Sequence, residues 1–197
     1  LYHQDELLKA EALPDVYKIF DRIAAKVPAG SNKVIFTPWL NGERTPVEDN
    51  FVRAGLFNLS LNNTREDIIR AFLEGVAFNQ KWVLKYVEKF IGRRMDPLHI
   101  VGGGAVSDLW CQIHADILNR TIKQVKDPIQ TNARGAAFIA SVALGFLEFE
   151  DIPKYVEINN CFEPNPQHRK IYDDMFQEFL NIYKQNKKIY KRLNSKD

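Results

Sequence analysis

Three consecutive glycines, Gly102, Gly103 and Gly104, stand between the apolar run Leu98-His99-Ile100-Val101 and a helical pattern that starts at Ser107. Few sequences constrain a fold as tightly. A short run rich in β-branched residues reads as a buried strand, and a serine before an apolar periodic stretch reads as a helix cap. The glycines between them allow positive φ and let a foreign group come close to bare backbone. The helix start adds unpaired N–H groups and a partial positive charge, so strand, glycines and helix together form a cradle for an anion such as phosphate. Glycines serve a merely tight turn equally well, and both readings stand at this level. The spacing is not Gly-x-Gly-x-x-Gly, and no Gly-Lys-Ser/Thr follows, so neither a dinucleotide fingerprint nor a P-loop is present. Asp108 lies in the first turn of the helix, where a carboxylate suits the dipole. It would repel an adjacent phosphate, so its alternatives are capping or contact with the ribose hydroxyls or base edge of a nucleoside.

The rest of the chain alternates in type. Pro14 and Asp15 open a helix carrying Val16, Ile19, Phe20, Ile23 and Val27, and Pro28-Ala29-Gly30-Ser31 stops it. Val34-Ile35-Phe36 predicts a strand, and Leu56 to Leu61 a second one. Thr64 with Asp67 three residues on predicts a capped helix ending near Gly92, with Ile68, Phe72, Leu73, Val76, Val83, Leu84 and Val87 on its apolar face. Thr121 to Val125 predicts a strand, Asn132 to Leu144 an Ala-rich helix closed by Gly145, and Pro166 to Leu193 a last helix with Ile171, Met175, Phe179 and Tyr183 four apart. Strands alternating with helices predict an α/β layered domain.

Between the first two strands, Asn41-Gly42-Glu43-Arg44-Thr45-Pro46 is a dense charged loop. It reads as a functional loop at a strand end or as a surface loop with a local Glu–Arg ion pair. The formal net charge of +2 over 197 residues gives no general attraction to nucleic acid or to an anionic membrane. The basic run from Lys184 to Arg192 suits a helix C-terminus. Cys111 and Cys161 form no metal-ligand pair and are expected as free thiols in a reducing cytoplasm. His3, His99, His114 and His168 show no ligand spacing, and no metal site is expected. No apolar stretch approaches a membrane span, and Leu1-Tyr2-His3-Gln4-Asp5 is no signal peptide. The abrupt start without Met reads as a cut within a longer chain.

Taken in order, these segments resemble a known family. Phe36-Thr37-Pro38-Trp39-Leu40-Asn41-Gly42-Glu43-Arg44-Thr45-Pro46 is similar to a loop of the FGGY carbohydrate kinases, in the form typical of xylulose kinases. Gly55 to Glu74, and on through Ala77, resembles the family signature, with Asn58 where glycine is usual and Phe72 where a smaller residue is usual. Val101-Gly102-Gly103-Gly104-Ala105, Trp110 to Ile113, Ala115 to Leu118 and Arg134-Gly135-Ala136-Ala137 resemble its nucleotide-binding turn and following helices. The resemblance runs from about Lys33 to Leu147.

It implies an α/β, ribonuclease H-like and actin-like ATPase domain with a mixed sheet flanked by helices. Residues 1–197 would be the C-terminal, nucleotide-binding domain, and the sugar-binding N-terminal domain would lie outside this chain. The implied activity is transfer of the ATP γ-phosphoryl, with Mg²⁺, to a ketopentose, D-xylulose first among candidates. Gluconate, ribulose or glycerol as acceptor, or a non-catalytic nucleotide-binding module, are the alternatives. No catalytic residue is expected here, because the aspartate base and the phosphate-binding hairpin would lie upstream of Leu1; the chain alone is expected to be inactive. By analogy Gly102, Gly103, Gly104 and Ala105 approach ATP, and Asp108 stands where the family often has asparagine near adenine. Glu43, Arg44 and Thr45 are the candidate cleft loop. The implied partners are the sugar, ATP, the N-terminal domain of the same polypeptide and, as an assembly open to it, a second copy in a homodimer. Gly104→Val is expected to obstruct nucleotide more than it harms folding.

Overall fold

The structure, a computed structural model, describes residues 16–195. It divides into two compact units, one of residues up to Arg93 together with the segment from Pro166 onward, and one of Arg94–Asn165. No helix among the described residues is long and apolar enough to cross a membrane.

The first unit contains helix α1 (Val16–Ala24), strands β1 (Ile35–Thr37) and β2 (Gly55–Phe57), the long helix α2 (Arg65–Ile91) and, after the second unit, helix α5 (Arg169–Asn194). Pro14 and Asp15, the expected start of α1, lie outside the described residues. β1 and β2 pair antiparallel, Ile35 opposite Phe57. The second strand ends at Phe57 and not at Leu61, because Asn58 turns left-handed at φ 63° and donates from Nδ2 to the Lys33 carbonyl at 3.1 Å. Leu59 and Leu61 are accordingly exposed.

α2 begins in the capping box read from the sequence. The Thr64 hydroxyl accepts from the Asp67 N–H, and the Asp67 carboxylate accepts from the Thr64 N–H at 2.8 Å; each satisfies a donor that the helix leaves unpaired. It ends at Gly92 with φ 71°. The buried face differs from the expected one. Phe72 is 41% and Val87 38% exposed, whereas Asp67, Arg70, Glu74, Ala71, Ala77, Phe78 and Trp82 are buried. The apolar periodicity misses this face because its centre is a neutralised ion pair. Arg70 Nε donates to Glu74 Oε1 at 2.7 Å, one helical turn apart. The remaining apolar side chains of that face join Trp39, Phe179 and Tyr183 in an aromatic cluster with ring centroids 5.1–6.4 Å apart around Trp82. Gly75 lets α2 lie directly on β1: a Cβ there would overlap the Phe36 carbonyl oxygen.

The second unit contains β3 (Leu98–Ile100), α3 (Asp108–Leu118), β4 (Ile122–Val125), α4 (Thr131–Ala143) and β5 (Ile158–Phe162). The sheet order is β3-β4-β5, with β3 parallel and β5 antiparallel to β4. It is therefore mixed. β5 was not legible in the sequence: Ile-Asn-Asn-Cys-Phe neither alternates nor forms an apolar run, and Cys161 on it is exposed. α3 buries Cys111, Ile113, Ala115, Ile117 and Leu118. Between the sheet and α4 runs a cleft of about 400 Å³, walled by Val101, Val125 and Phe138, with His99, Thr131 and Arg134 as its polar members.

Candidate nucleotide site

The strand–glycine–helix arrangement is present as read. β3 delivers the chain to Gly102, whose φ of 89° and ψ of −175° lie where side-chain-bearing residues are essentially not found. Its N–H donates to the Pro128 carbonyl at 2.9 Å, tying the turn to the segment after β4. A short 3-10 turn, Gly103–Val106, follows, and then Ser107 caps α3: its Oγ accepts from the Trp110 N–H at 3.0 Å. The Ala105 N–H is taken by the Gly102 carbonyl and the Ser107 N–H by that of Gly104. The amides of Gly103 and Gly104 donate to no group among the described residues. Around Gly102 and Gly103 there is nothing within 4 Å of where a Cβ would stand. Backbone amides left without an acceptor are what an incoming anion requires.

Gly104 is glycine for a different reason. A Cβ there would overlap the six-membered ring of Trp110. Gly104→Val therefore strikes the protein before any ligand, which corrects the expectation that it would mainly obstruct nucleotide. Trp110 in turn stacks at a tilt on His114, ring centroids 5.5 Å apart. The His114 Nδ1 lies 2.7 Å from the Trp110 carbonyl; a carbonyl only accepts, so Nδ1 carries the proton. Nε2 is then a buried acceptor without a protein partner.

Burial pushes the His114 pKa from 6.5 down to about 4, against a raising contribution from the Trp110 carbonyl. Above pH 6.5 folded and unfolded forms are both neutral there. Below it the unfolded chain takes up a proton that the folded one refuses until about pH 4. Stability from this group is thus intact above pH 6.5 and is lost as pH falls toward 4, by about 3 kcal/mol in all. Urea denaturation across that interval is expected to show a steeper acid loss in the natural protein than in His114→Phe; parallel curves would contradict it.

Asp108 is exposed at the first turn of α3. Its Oδ1 accepts from Gln124 Nε2 at 2.9 Å. Gln124, on β4, is buried and also donates to the Ala105 carbonyl at 2.8 Å. Sequence reading missed Gln124 altogether: a glutamine in a strand pattern carries no motif. The second oxygen of Asp108 stays open for a donor from outside. A carboxylate can only accept, so the group it reads has to be a hydroxyl, an amine or an imino N–H.

Gly102, Gly103, Gly104, Ala105 and Asp108 are thus brought together in one unit. Glu43, Arg44 and Thr45 belong to the other. There Glu43 Oε1 accepts from the Thr45 N–H at 2.9 Å and Oε2 from Asn79 Nδ2 at 2.8 Å. Asn79 Oδ1 accepts from the Trp39 indole at 3.1 Å, and Glu43 and Asp49 exchange backbone hydrogen bonds. Glu43 is thereby a strut of the loop, tied to its own backbone and to α2, and not the partner of Arg44 in the local ion pair considered from sequence. Arg44 and Thr45 are exposed.

Comparison with known proteins agrees with these elements. The model of the FGGY family of carbohydrate kinases, C-terminal domain, matches residues 3–144. Xylulose kinase of Staphylococcus epidermidis is 32% identical over 169 residues, covering 85% of this chain and 34% of that protein. The crystal structure of xylulose kinase from Rhodospirillum rubrum superposes with a TM-score of 0.76 at 30% identity, over 94% of this chain and 37% of that one. That of gluconate kinase from Lactobacillus acidophilus gives 0.80 at 27% identity, over 98% and 38%. These neighbours share the ribonuclease H-like, actin-like α/β fold expected from the sequence. The chain spans about a third of the length of the curated relatives it matches. With its family model covering the strand, the glycine turn and the helix that follows, the chain belongs to the FGGY family of carbohydrate kinases.

Proposed function

We propose that these residues are the nucleotide-binding part of a longer kinase that transfers the γ-phosphoryl of ATP to a hydroxyl of D-xylulose. The observation that carries this reading is the pair of amides at Gly103 and Gly104 that donate to no group among the described residues, in a turn between a parallel strand and a capped helix. Backbone N–H groups and the α3 dipole would hold phosphate oxygens, and Asp108 would accept from the nucleoside. Similarity to xylulose kinases supports a ketopentose as the acceptor.

Phosphoryl transfer needs positioning and charge neutralisation more than covalent chemistry. In this scheme the present residues contribute binding and orientation of the nucleotide. The aspartate that takes the sugar hydroxyl proton, and most sugar contacts, belong to the N-terminal part of the same polypeptide. Among the described residues no three His, Cys, Asp or Glu side chains converge. They do not fit a metal cage of their own.

The test compares the full polypeptide with residues 1–197 alone on D-xylulose, D-ribulose, gluconate and glycerol with ATP. The full polypeptide is expected to phosphorylate D-xylulose with the highest kcat/KM, and the shorter chain to give no turnover. A preference for another acceptor, or robust turnover by the shorter chain, would overturn the assignment.

A further inference from the structure

Gln124 uses every hydrogen-bonding valence it has. Its Nε2 donates to the Ala105 carbonyl at 2.8 Å and to Asp108 Oδ1 at 2.9 Å. Its Oε1 accepts from Asn159 Nδ2 at 2.8 Å and Asn160 Nδ2 at 3.0 Å, both on β5. A side-chain amide offers two donors and two lone pairs, and all four are engaged. The direction of the amide is also fixed by chemistry. A carbonyl and a carboxylate accept only, so the nitrogen has to face the turn and the oxygen has to face β5. The residue is 3% exposed, so water has little access to its amide.

The consequence lies at Asp108, whose backbone sits in an exposed first turn of α3. Alone, a short carboxylate there would sample several rotamers. With Oδ1 held by Gln124, fewer rotamers remain, and Oδ2 is left with no donor among the described residues. Through the same nitrogen Gln124 also pins Ala105, the last residue of the glycine run's cradle. One buried amide thereby sets two parts of the candidate site against each other.

We propose that Gln124 is a positioning residue for the nucleotide, holding Asp108 so that its open oxygen meets a hydrogen-bond donor on the nucleoside. This rests on the proposed nucleotide site. The donor is a ribose hydroxyl or the exocyclic amine of the base; the chemistry is the same, and analogues tell them apart. Immobilising a hydrogen-bonding group before binding raises affinity because less freedom is lost on association.

The experiment uses the full polypeptide and four variants, Gln124→Leu, Asp108→Ala, their combination and Gly103→Val. KM is measured for ATP and for the sugar, and folding is checked by thermal melting. Gln124→Leu and Asp108→Ala are each expected to raise the KM for ATP about tenfold, with the sugar KM unchanged. The combination is expected to be no worse than Asp108→Ala alone, because coupled groups fail together. In the natural protein 2′-deoxy-ATP loses the same factor if the donor is the ribose 2′-hydroxyl, and purine riboside triphosphate does so if it is the amine. Each loss should vanish in Asp108→Ala.

Asn159 and Asn160 are exposed, so water replaces Gln124 for them. Should Gln124→Leu nevertheless fail to fold, Asn159→Ala with Asn160→Ala loosens Gln124 from its far side, and a smaller rise in the KM for ATP is expected. An unchanged ATP KM in Gln124→Leu, or in that pair where it replaces Gln124→Leu, an equal rise for the sugar, or multiplying effects in the combination would each overturn the role of Gln124. If Gly103→Val raises the KM for ATP in those cases, the nucleotide site itself stands. If neither Gly103→Val nor Asp108→Ala moves it, the site falls and the role of Gln124 with it.

Discussion

Replacing Glu74 with alanine is expected to cost about 3–5 kcal/mol of stability, which is the penalty for stranding a buried charge. Glu74 is 1% exposed, and four groups donate to its carboxylate. Its Oε1 accepts from Arg70 Nε, from the Tyr172 hydroxyl at 2.8 Å and from the Gly30 N–H at 3.0 Å. Its Oε2 accepts from the Ser31 hydroxyl at 2.7 Å. Arg70 also donates to the carbonyls of Ala24 and Val27 behind α1 and to the Tyr172 oxygen. The network thus ties α1, the loop before β1, α2 and α5 into one unit. Burial pushes the Tyr172 hydroxyl pKa up, and the Glu74 carboxylate adds to that, so Tyr172 stays a neutral donor to the carboxylate. Removing Glu74 leaves a guanidinium in low dielectric without its counter-charge. In a domain of this size the melting midpoint should fall on the order of 10 °C. Lys126→Ala, which removes an ion pair with Glu157 between two exposed side chains, should move the midpoint by no more than about 2 °C. A loss below about 1 kcal/mol for Glu74→Ala would show that water reaches this network.

The same network explains which parts of the fold were legible in the sequence. Caps and breakers act locally, so Thr64 with Asp67, Gly92, Ser107 and Gly145 marked the ends of α2, α3 and α4 within a residue or two. Asn58, standing where the family signature has glycine, keeps the left-handed φ of 63° that glycine would adopt; asparagine tolerates this conformation better than most residues. The substitution therefore preserves the bend that ends β2. Tertiary pairing was not legible. Nothing local announces that Arg70 and Glu74 will be buried together, so the periodicity of α2 pointed to Phe72 and Val87. β5 depends on hydrogen bonds to β4 and on Gln124, not on an apolar pattern of its own. In the candidate site, the glycine run and Asp108 could be read because strand, turn and cap are contiguous. Gln124 could not, since it lies 16 residues from Asp108 and only the parallel pairing of β3 with β4 brings the two together.

Two glycines of one turn are expected to fail in opposite ways, and this contrast tests the site most directly. Gly103 has no atom within 4 Å of where a Cβ would stand and a φ outside the left-handed range, so Gly103→Val should fold with a melting midpoint within about 2 °C of the natural protein. The two methyl groups would then stand in the open space beside Gly103, at the turn that carries the unpaired amides. Excluding a phosphate oxygen from charge-assisted backbone hydrogen bonds, each worth about 1.5–3 kcal/mol, should weaken ATP binding in the full polypeptide roughly 30-fold or more. Gly104→Ala should do the reverse. Its single methyl overlaps the Trp110 ring, and Trp110 cannot retreat freely because it is packed on the buried His114. Overpacking of this kind costs about 1–3 kcal/mol, so the melting midpoint should drop by several degrees while any loss of affinity stays secondary to the displaced turn. Isothermal titration with ATP, run beside thermal melts of both variants, separates the two. If Gly103→Val binds ATP as tightly as the natural protein, phosphate does not lie against the Gly103 amide.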